Sequence, residues 1–172
     1  MDLMLRLPSA ADEAEVRRAF EATSSEVPNF LHHYDPAMSF ARYIDVLRDQ
    51  ERGVGLAPGQ VASTFLLAFA DARVVGRVAI RHRLNAALEE SGGHIGFVVV
   101  PEFRRRGCAT EMLRRALVIA RGDIGLQRVL LTCDDDNVAS RRTIEKNGGV
   151  LETTQAAPNG TLQRRYWIEL GG

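Results

Sequence analysis

The chain has 172 residues, 45% hydrophobic and 26% charged, the composition of a folded protein of about one domain's length. That balance excludes disordered, collagen-like and mucin-like chains. Its 22 basic and 22 acidic residues cancel, which excludes the broadly basic face of a typical nucleic-acid binder.

Residues 3–7 alternate weakly and read as a first strand, closed by Pro8. Ser9 followed by Asp12 and Glu13 is a helix-start signal, so 10–23 read as a helix. Residues 23–36 carry Pro28 and Pro36 and read as a loop. Phe40, Tyr43, Ile44 and Leu47 at helical spacing place a second helix over 37–52, broken at Gly53. Residues 61–70 and 73–81 read as a hairpin turning at Asp71-Ala72. Residues 84–93 read as a connection, and 94–100 as a strand stopped by Pro101. Met112, Leu113, Ala116, Leu117 and Ala120 mark one face of a helix over 107–121. A short buried strand over 128–133 and a helix over 137–146 follow, the helix ended by Asn147-Gly148-Gly149. Strands over 150–154 and 162–170 flank the turn Pro158-Asn159-Gly160. The order β-α-α-β-β-β-α-β-α-β-β predicts an α/β (α+β) fold. It forms one domain over 1–172, a mixed sheet flanked by helices.

Two cysteines, Cys108 and Cys133, make neither a disulfide framework nor a zinc-ligand set. No basic head with an apolar stretch opens the sequence, and no apolar run reaches the ~20 residues of a membrane span. A reducing cytoplasm, with no membrane partner, is therefore expected.

The chemistry concentrates in 94–149. The strand ending Val98-Val99-Val100-Pro101 runs into a short basic turn and then a helix beginning near Gly107-Cys108-Ala109-Thr110. The first N–H groups of a helix lack internal partners and carry partial positive charge, so they suit a phosphate. Gly107 and Ala109 are small enough to let one approach, and Arg104, Arg105 and Arg106 add charge. The turn has neither the Gly-x-x-x-x-Gly-Lys of a nucleotide P-loop nor the Gly-x-Gly-x-x-Gly of a dinucleotide site.

Arg104-x-x-Gly107-x-Ala109 resembles the Arg/Gln-x-x-Gly-x-Gly/Ala signature of the GNAT-type N-acetyltransferases. Asn137-x-x-Ser140-x-x-x-x-Glu145-Lys146-x-Gly148 resembles that family's second block, and the lead-in Gly93-His94-Ile95-Gly96-Phe97 is similar to an uncharacterised bacterial branch. The resemblance implies the GNAT acyl-CoA N-acyltransferase fold, its sheet splayed between strands 4 and 5, with acetyl-CoA as cosubstrate in the gap and no metal. Pantetheine would pair with the backbone of Phe97, Val98, Val99 and Val100. The pyrophosphate would sit on the amides of Arg105, Arg106, Gly107, Cys108, Ala109 and Thr110, beside Arg104. Asn137, Ser140 and Arg141 would reach along the cofactor, and Arg142 is a candidate for its 3′-phosphate. The implied reaction is acetyl transfer to a primary amine, in a small molecule or a peptide, by direct attack in a ternary complex. A backbone N–H near Val99 or Val100 would meet the oxyanion. A homodimer is the assembly common among such relatives.

One departure stands out. Many members carry a tyrosine acid seven residues after the motif asparagine, and here that position is Ile144. Water or the Ser140 hydroxyl are the substitutes, with Tyr166 a remoter one. A non-catalytic acyl-CoA-binding sensor or partner module is the alternative that Ile144 favours. His94 is a candidate general base, its ordinary pKa suiting neutral pH, or simply a strand-end histidine. His32, His33 and Tyr34 would line the acceptor site if the family pattern holds, or else form loop surface. Asp134, in the run Asp134-Asp135-Asp136, would attract a cationic amine or be plain solvated loop. Cys108 reads as a packing residue, and Trp167 as a core or sheet-face residue.

Overall fold

The computed structural model describes residues 2–26 and 28–171. Ser9 and Asp12 do begin helical structure. The Asp12 carboxylate accepts from Ser9 N–H (2.7 Å) and Ser9 Oγ (2.8 Å), but the first turn is 3₁₀ and α1 spans Glu13–Ala22. Helix α2 (Phe40–Arg52) starts at its cap, Ser39, whose Oγ accepts from Arg42 N–H at 3.2 Å, three residues beyond the predicted start. The supposed connection over 84–93 contains a short helix, α3 (Ala86–Glu90), capped by Asn85 accepting from Leu88 N–H at 3.0 Å. Helices α4 (Cys108–Gly122) and α5 (Val138–Lys146) lie where the sequence places them.

The strands form two sheets. The first has the order β1-β2-β3-β4, with β1 Leu3–Arg6, β2 Ser63–Ala70, β3 Arg73–Arg81 and β4 Ile95–Val99. The second has the order β5-β7-β6, with β5 Arg128–Asp134, β6 Val150–Ala156 and β7 Leu162–Glu169. All five ladders are antiparallel, so the expected mixed sheet resolves into two antiparallel sheets that part between the fourth and fifth strands.

Strands β2 and β3 are buried on both faces, which explains their nearly continuous apolar runs. On one side Val75, Val78, Ile80 and Ile95 meet Met112, Leu113 and Ala116 of α4, and this cluster continues into Val129, Leu131 and Tyr166 of the second sheet. On the other side Phe65, Leu67 and Ala79 meet Val16 and Ala19 of α1, Tyr43, Ile44 and Leu47 of α2, and Phe30.

The backbones of the two sheets are joined where β4 begins. Gly93 bridges Leu131, His94 N–H donates to Leu130 O at 2.7 Å, and Gly92 N–H donates to Thr132 Oγ1 at 3.0 Å. Gly93 is required there twice over. Its φ is +61°, and a Cβ would lie 2.3 Å from Leu130 O. Left-handed strain alone costs about 1–3 kcal/mol in a non-glycine residue. At roughly 2–4 °C per kcal/mol for a chain of this size, Gly93→Ala should lower the Tm by at least about 2 °C in calorimetry. An unchanged Tm would mean the join is not as tight as described.

Candidate active site

Residue parity along β4 decides what that strand offers. In an antiparallel ladder, alternate residues turn both backbone groups toward one neighbour. Arg81 N–H donates to His94 O (2.8 Å) and Val100 N–H donates to Val75 O (2.9 Å), with Phe97 opposite Val78 and Val99 opposite Gly76. Gly96, Val98 and Val100 therefore address β3, while Phe97 and Val99 address the open side. This corrects the expectation that all of 97–100 pair with a ligand and that the Val100 amide can meet an oxyanion. The Val99 carbonyl is also taken, accepting from Arg104 Nε at 3.0 Å. What remains on the edge is the N–H and C=O of Phe97 and the N–H of Val99.

Past Pro101–Phe103, the turn reaches α4 through two left-handed residues, Arg105 at φ +60° and Gly107 at φ +80°. Gly107 caps α4 with no side-chain hydrogen bond, and a Cβ built on it would meet nothing within 4 Å. The first intrahelical bond is Glu111 N–H to Gly107 O (3.1 Å), so the amides of Ala109 and Thr110 precede it and lack helical acceptors. The turn is thus an open concavity at a helix N-terminus.

The arginines divide. Arg105 and Arg106 are exposed, the Arg106 guanidinium 5.8 Å from the centre of the Phe103 ring. Arg104 does not face the concavity. Its Nη2 donates to the Glu26 carboxylate (2.7 Å) while Nε holds Val99 O, so it braces the turn and its charge is matched. Cys108 is buried, burial pushes its thiol pKa up, and it packs in the core beside Met112.

Helix α5 lies against this turn. Asn147 Nδ2 donates to Thr110 O (3.2 Å) and Thr143 O (2.9 Å). Asn137 caps α5, its Oδ1 accepting from Ser140 N–H at 3.0 Å. The Ser140 side chain is half-buried, and no hydrogen bond of its hydroxyl is found among the described residues. Arg141 turns back onto its own loop, Nη1 donating to Asp135 O at 3.1 Å, which leaves it a loop brace where a cofactor contact was expected. Arg142 is exposed. Ile144 is buried in the core cluster, and the Tyr166 hydroxyl donates to Glu145 Oε1 (3.0 Å), away from any acid role at the gap.

His94 is a bracket between the sheets. Its Nδ1 accepts from Leu130 N–H at 2.9 Å, so the neutral ring carries its proton on Nε2 and has no lone pair left for a substrate. Burial, reinforced by Arg81 and Arg128, pushes its pKa down to about 4. The general-base expectation fails on both grounds.

On the α1–α2 side, by the N-terminal end of β4, a cleft of about 390 Å³ is lined by Asn29, His32, His33, Gln60, Ser63 and Arg81 among others. It takes in two of the residues expected at the acceptor site. Tyr34 is not one of its lining residues. It stacks edge-on against Phe20 and Tyr43, and its hydroxyl accepts from Arg17 at 3.0 Å. Asp134 is exposed at the end of β5 and likewise does not line the cleft. Sequence reasoning passed over Arg77 and Arg81. The signal was there: two arginines four apart in an otherwise apolar strand must share one face.

A family model for the GNAT acetyltransferase domain matches residues 2–150. The chain belongs to the GNAT acetyltransferase family. Solved structures share its fold over 97–99% of this chain. RimJ of Mycobacterium smegmatis, in complex with CoA-disulfide, has a TM-score of 0.70 at 18% identity, covering 97% of this chain and 81% of its own. A GNAT-family acetyltransferase from Streptococcus pneumoniae has a TM-score of 0.67 at 19% identity, with 99% and 100% covered. The protein yncA of Salmonella typhimurium, with its cofactor acetyl-CoA, has a TM-score of 0.66 at 15% identity, with 98% and 94% covered. No curated protein matches by sequence.

The His94 bracket has a pH signature. A histidine whose folded pKa lies below its unfolded value of about 6.5 favours the folded state fully above that value. That contribution is lost as pH falls toward 4, because the unfolded chain takes up the proton first. Denaturant titrations between pH 7 and 4 should show stability falling, and His94→Gln should fall less steeply. Equal slopes would remove the bracket from the account.

Proposed function

We propose that this GNAT protein transfers the acetyl group of acetyl-CoA to a primary amine, the amine attacking directly while both are bound. The observation that carries this reading is the open edge of β4 leading into an uncapped helix start with free space before it. An extended amide-bearing chain suits the first as an added strand, and a diphosphate suits the second. Phe97 and Val99 would hold the pantetheine arm. Ala109, Thr110 and the turn from Arg105 would hold the phosphates. Asn137 and the exposed Arg142 would border them. When bound, the thioester supplies the activated acyl carbon.

The remaining roles fall to this chain. The Val99 or Phe97 N–H points to the open side and would donate to the carbonyl oxygen as charge develops, the preorganised arrangement that stabilises such charge most cheaply. An alkylammonium with a pKa of about 10.4 must lose a proton first. With His94 occupied, water in the cleft carries it. The Ser140 hydroxyl would return a proton to the departing thiolate, whose thiol has a pKa of roughly 8.5.

A second reading, a non-catalytic acyl-CoA-binding module, is favoured by one observation: Ile144 sits in the core where many relatives have a tyrosine, and the Tyr166 hydroxyl donates to Glu145.

Two experiments test these readings. Acetyl-CoA at 100 times its Kd should stabilise the fold by about 2.7 kcal/mol, a Tm rise of roughly 5–10 °C. Gly107→Val should lower the Tm of the ligand-free protein, because a branched residue is strained at φ +80° even with no protein atom within 4 Å, and should lose that rise. A retained rise would refute the cradle. Thiol release across a panel of amines separates enzyme from module, the module binding acetyl-CoA and releasing nothing. Ser140→Ala should keep the Tm rise and lower kcat about a hundredfold, the lower end of acid catalysis. An unchanged kcat removes Ser140.

A further inference from the structure

The cleft beside α2 has an unusual charge content. Arg81 lines it, and Arg77 lies four residues earlier on the same face of β3. Arg77 is only 1% exposed, its Nη2 reaches the carbonyl of Asn29 on the cleft wall at 3.0 Å, and its Nε is buried without any hydrogen-bond partner. Arg81 spends Nη1 on the carbonyls of Gly92 (3.2 Å) and Gly93 (2.9 Å). Among the described residues neither arginine has a carboxylate within ion-pair distance, and no Asp or Glu lines the cleft. Four other arginines around the first sheet behave differently: Arg6, Arg18, Arg73 and Arg104 each meet a carboxylate.

An unpaired buried charge is among the costlier things a fold can hold. Burial pulls the Arg77 pKa down to about 10, and burial with the two arginines pulls His32 down to about 3. The cleft is therefore a positively charged recess without a counter-charge among the described residues. A guanidinium presents a planar fork of donors that matches carboxylate and phosphate oxygens.

We infer that the acceptor amine carries an oxyanion, a carboxylate or a phosphate, which docks in the cleft against Arg81, with Arg77 supporting the wall through Asn29. This rests on the acetyl-transfer reading and narrows its substrate class to amines that are also anions, such as amino acids, aminoalkyl phosphates or peptides with an acidic N-terminal segment. Polyamines, which would bring only positive charge to this recess, are excluded.

The test uses matched pairs: glutamate and glycine against their amides, and phosphoethanolamine against ethanolamine. Binding is measured by calorimetry without acetyl-CoA, and kcat/KM with it. The anionic member of at least one pair should bind at least tenfold more tightly, and the carboxylate and phosphate arms tell which oxyanion is taken. Arg81→Gln should reduce that preference at least tenfold while keeping the acetyl-CoA Tm rise. Arg77→Met serves if Arg81→Gln fails to fold. Addition of the anion should also raise the His32 pKa followed by NMR. Equal binding within every pair, a preference for polyamines, or an unchanged preference in a folded Arg81→Gln variant overturns the inference. Loss of the acetyl-CoA Tm rise in the wild type would instead overturn the transfer reading, leaving the calorimetric result to judge the cleft alone.

Discussion

Everything at the candidate site depends on how β4 is held at one end and released at the other. Near its start, Gly93 and His94 bind the backbone of Leu130 and Leu131. A few residues on, the strand has β3 on one side only. Had the pairing continued, the N–H and C=O of Phe97 and the N–H of Val99 would be consumed in a ladder. Because it stops, the protein keeps a short stretch of unsatisfied edge between its two sheets. Such edges are normally covered or blunted. Here the edge runs straight into the turn at Gly107.

Much of this was legible in the sequence, for identifiable reasons. The strand-Pro-turn-helix order of 94–122 and the Asn137 block are dictated by local chemistry: a proline stop, a small residue at the helix start, an asparagine cap. These features survive in the fold almost residue for residue. What was not legible depends on which side a group faces. That the Val100 amide is spent on Val75 follows from register across strands, which one strand cannot reveal. Arg104 belongs to the family motif, yet its partner Glu26 lies far away in sequence. His94 has the right chemistry for a base, but its Nδ1 is claimed by a neighbour from another sheet. Tyr34 has the right address and the wrong orientation.

The two ends of the site differ electrostatically in a way that fits two different ligands. At the turn, positive character comes mostly from backbone amides and exposed arginines, which suits a flexible, heavily charged phosphate chain in contact with water. At the cleft it comes from the half-buried Arg81, with the buried Arg77 behind it on the same strand, where each unmatched charge carries more weight. The first lies in the family-like turn of residues 104–110, the proposed cofactor seat. The second is written in β3 and in the segment from Asn29 to His33, the kind of region in which a shared fold is adapted to a particular task.

The brace made by Arg104 ties these two regions together. One side chain touches Val99 on the exposed edge and Glu26, and Asn29 on the cleft wall follows only three residues later. A single side chain thus pins the exposed strand edge and the turn of the proposed phosphate seat to the segment that precedes the cleft wall.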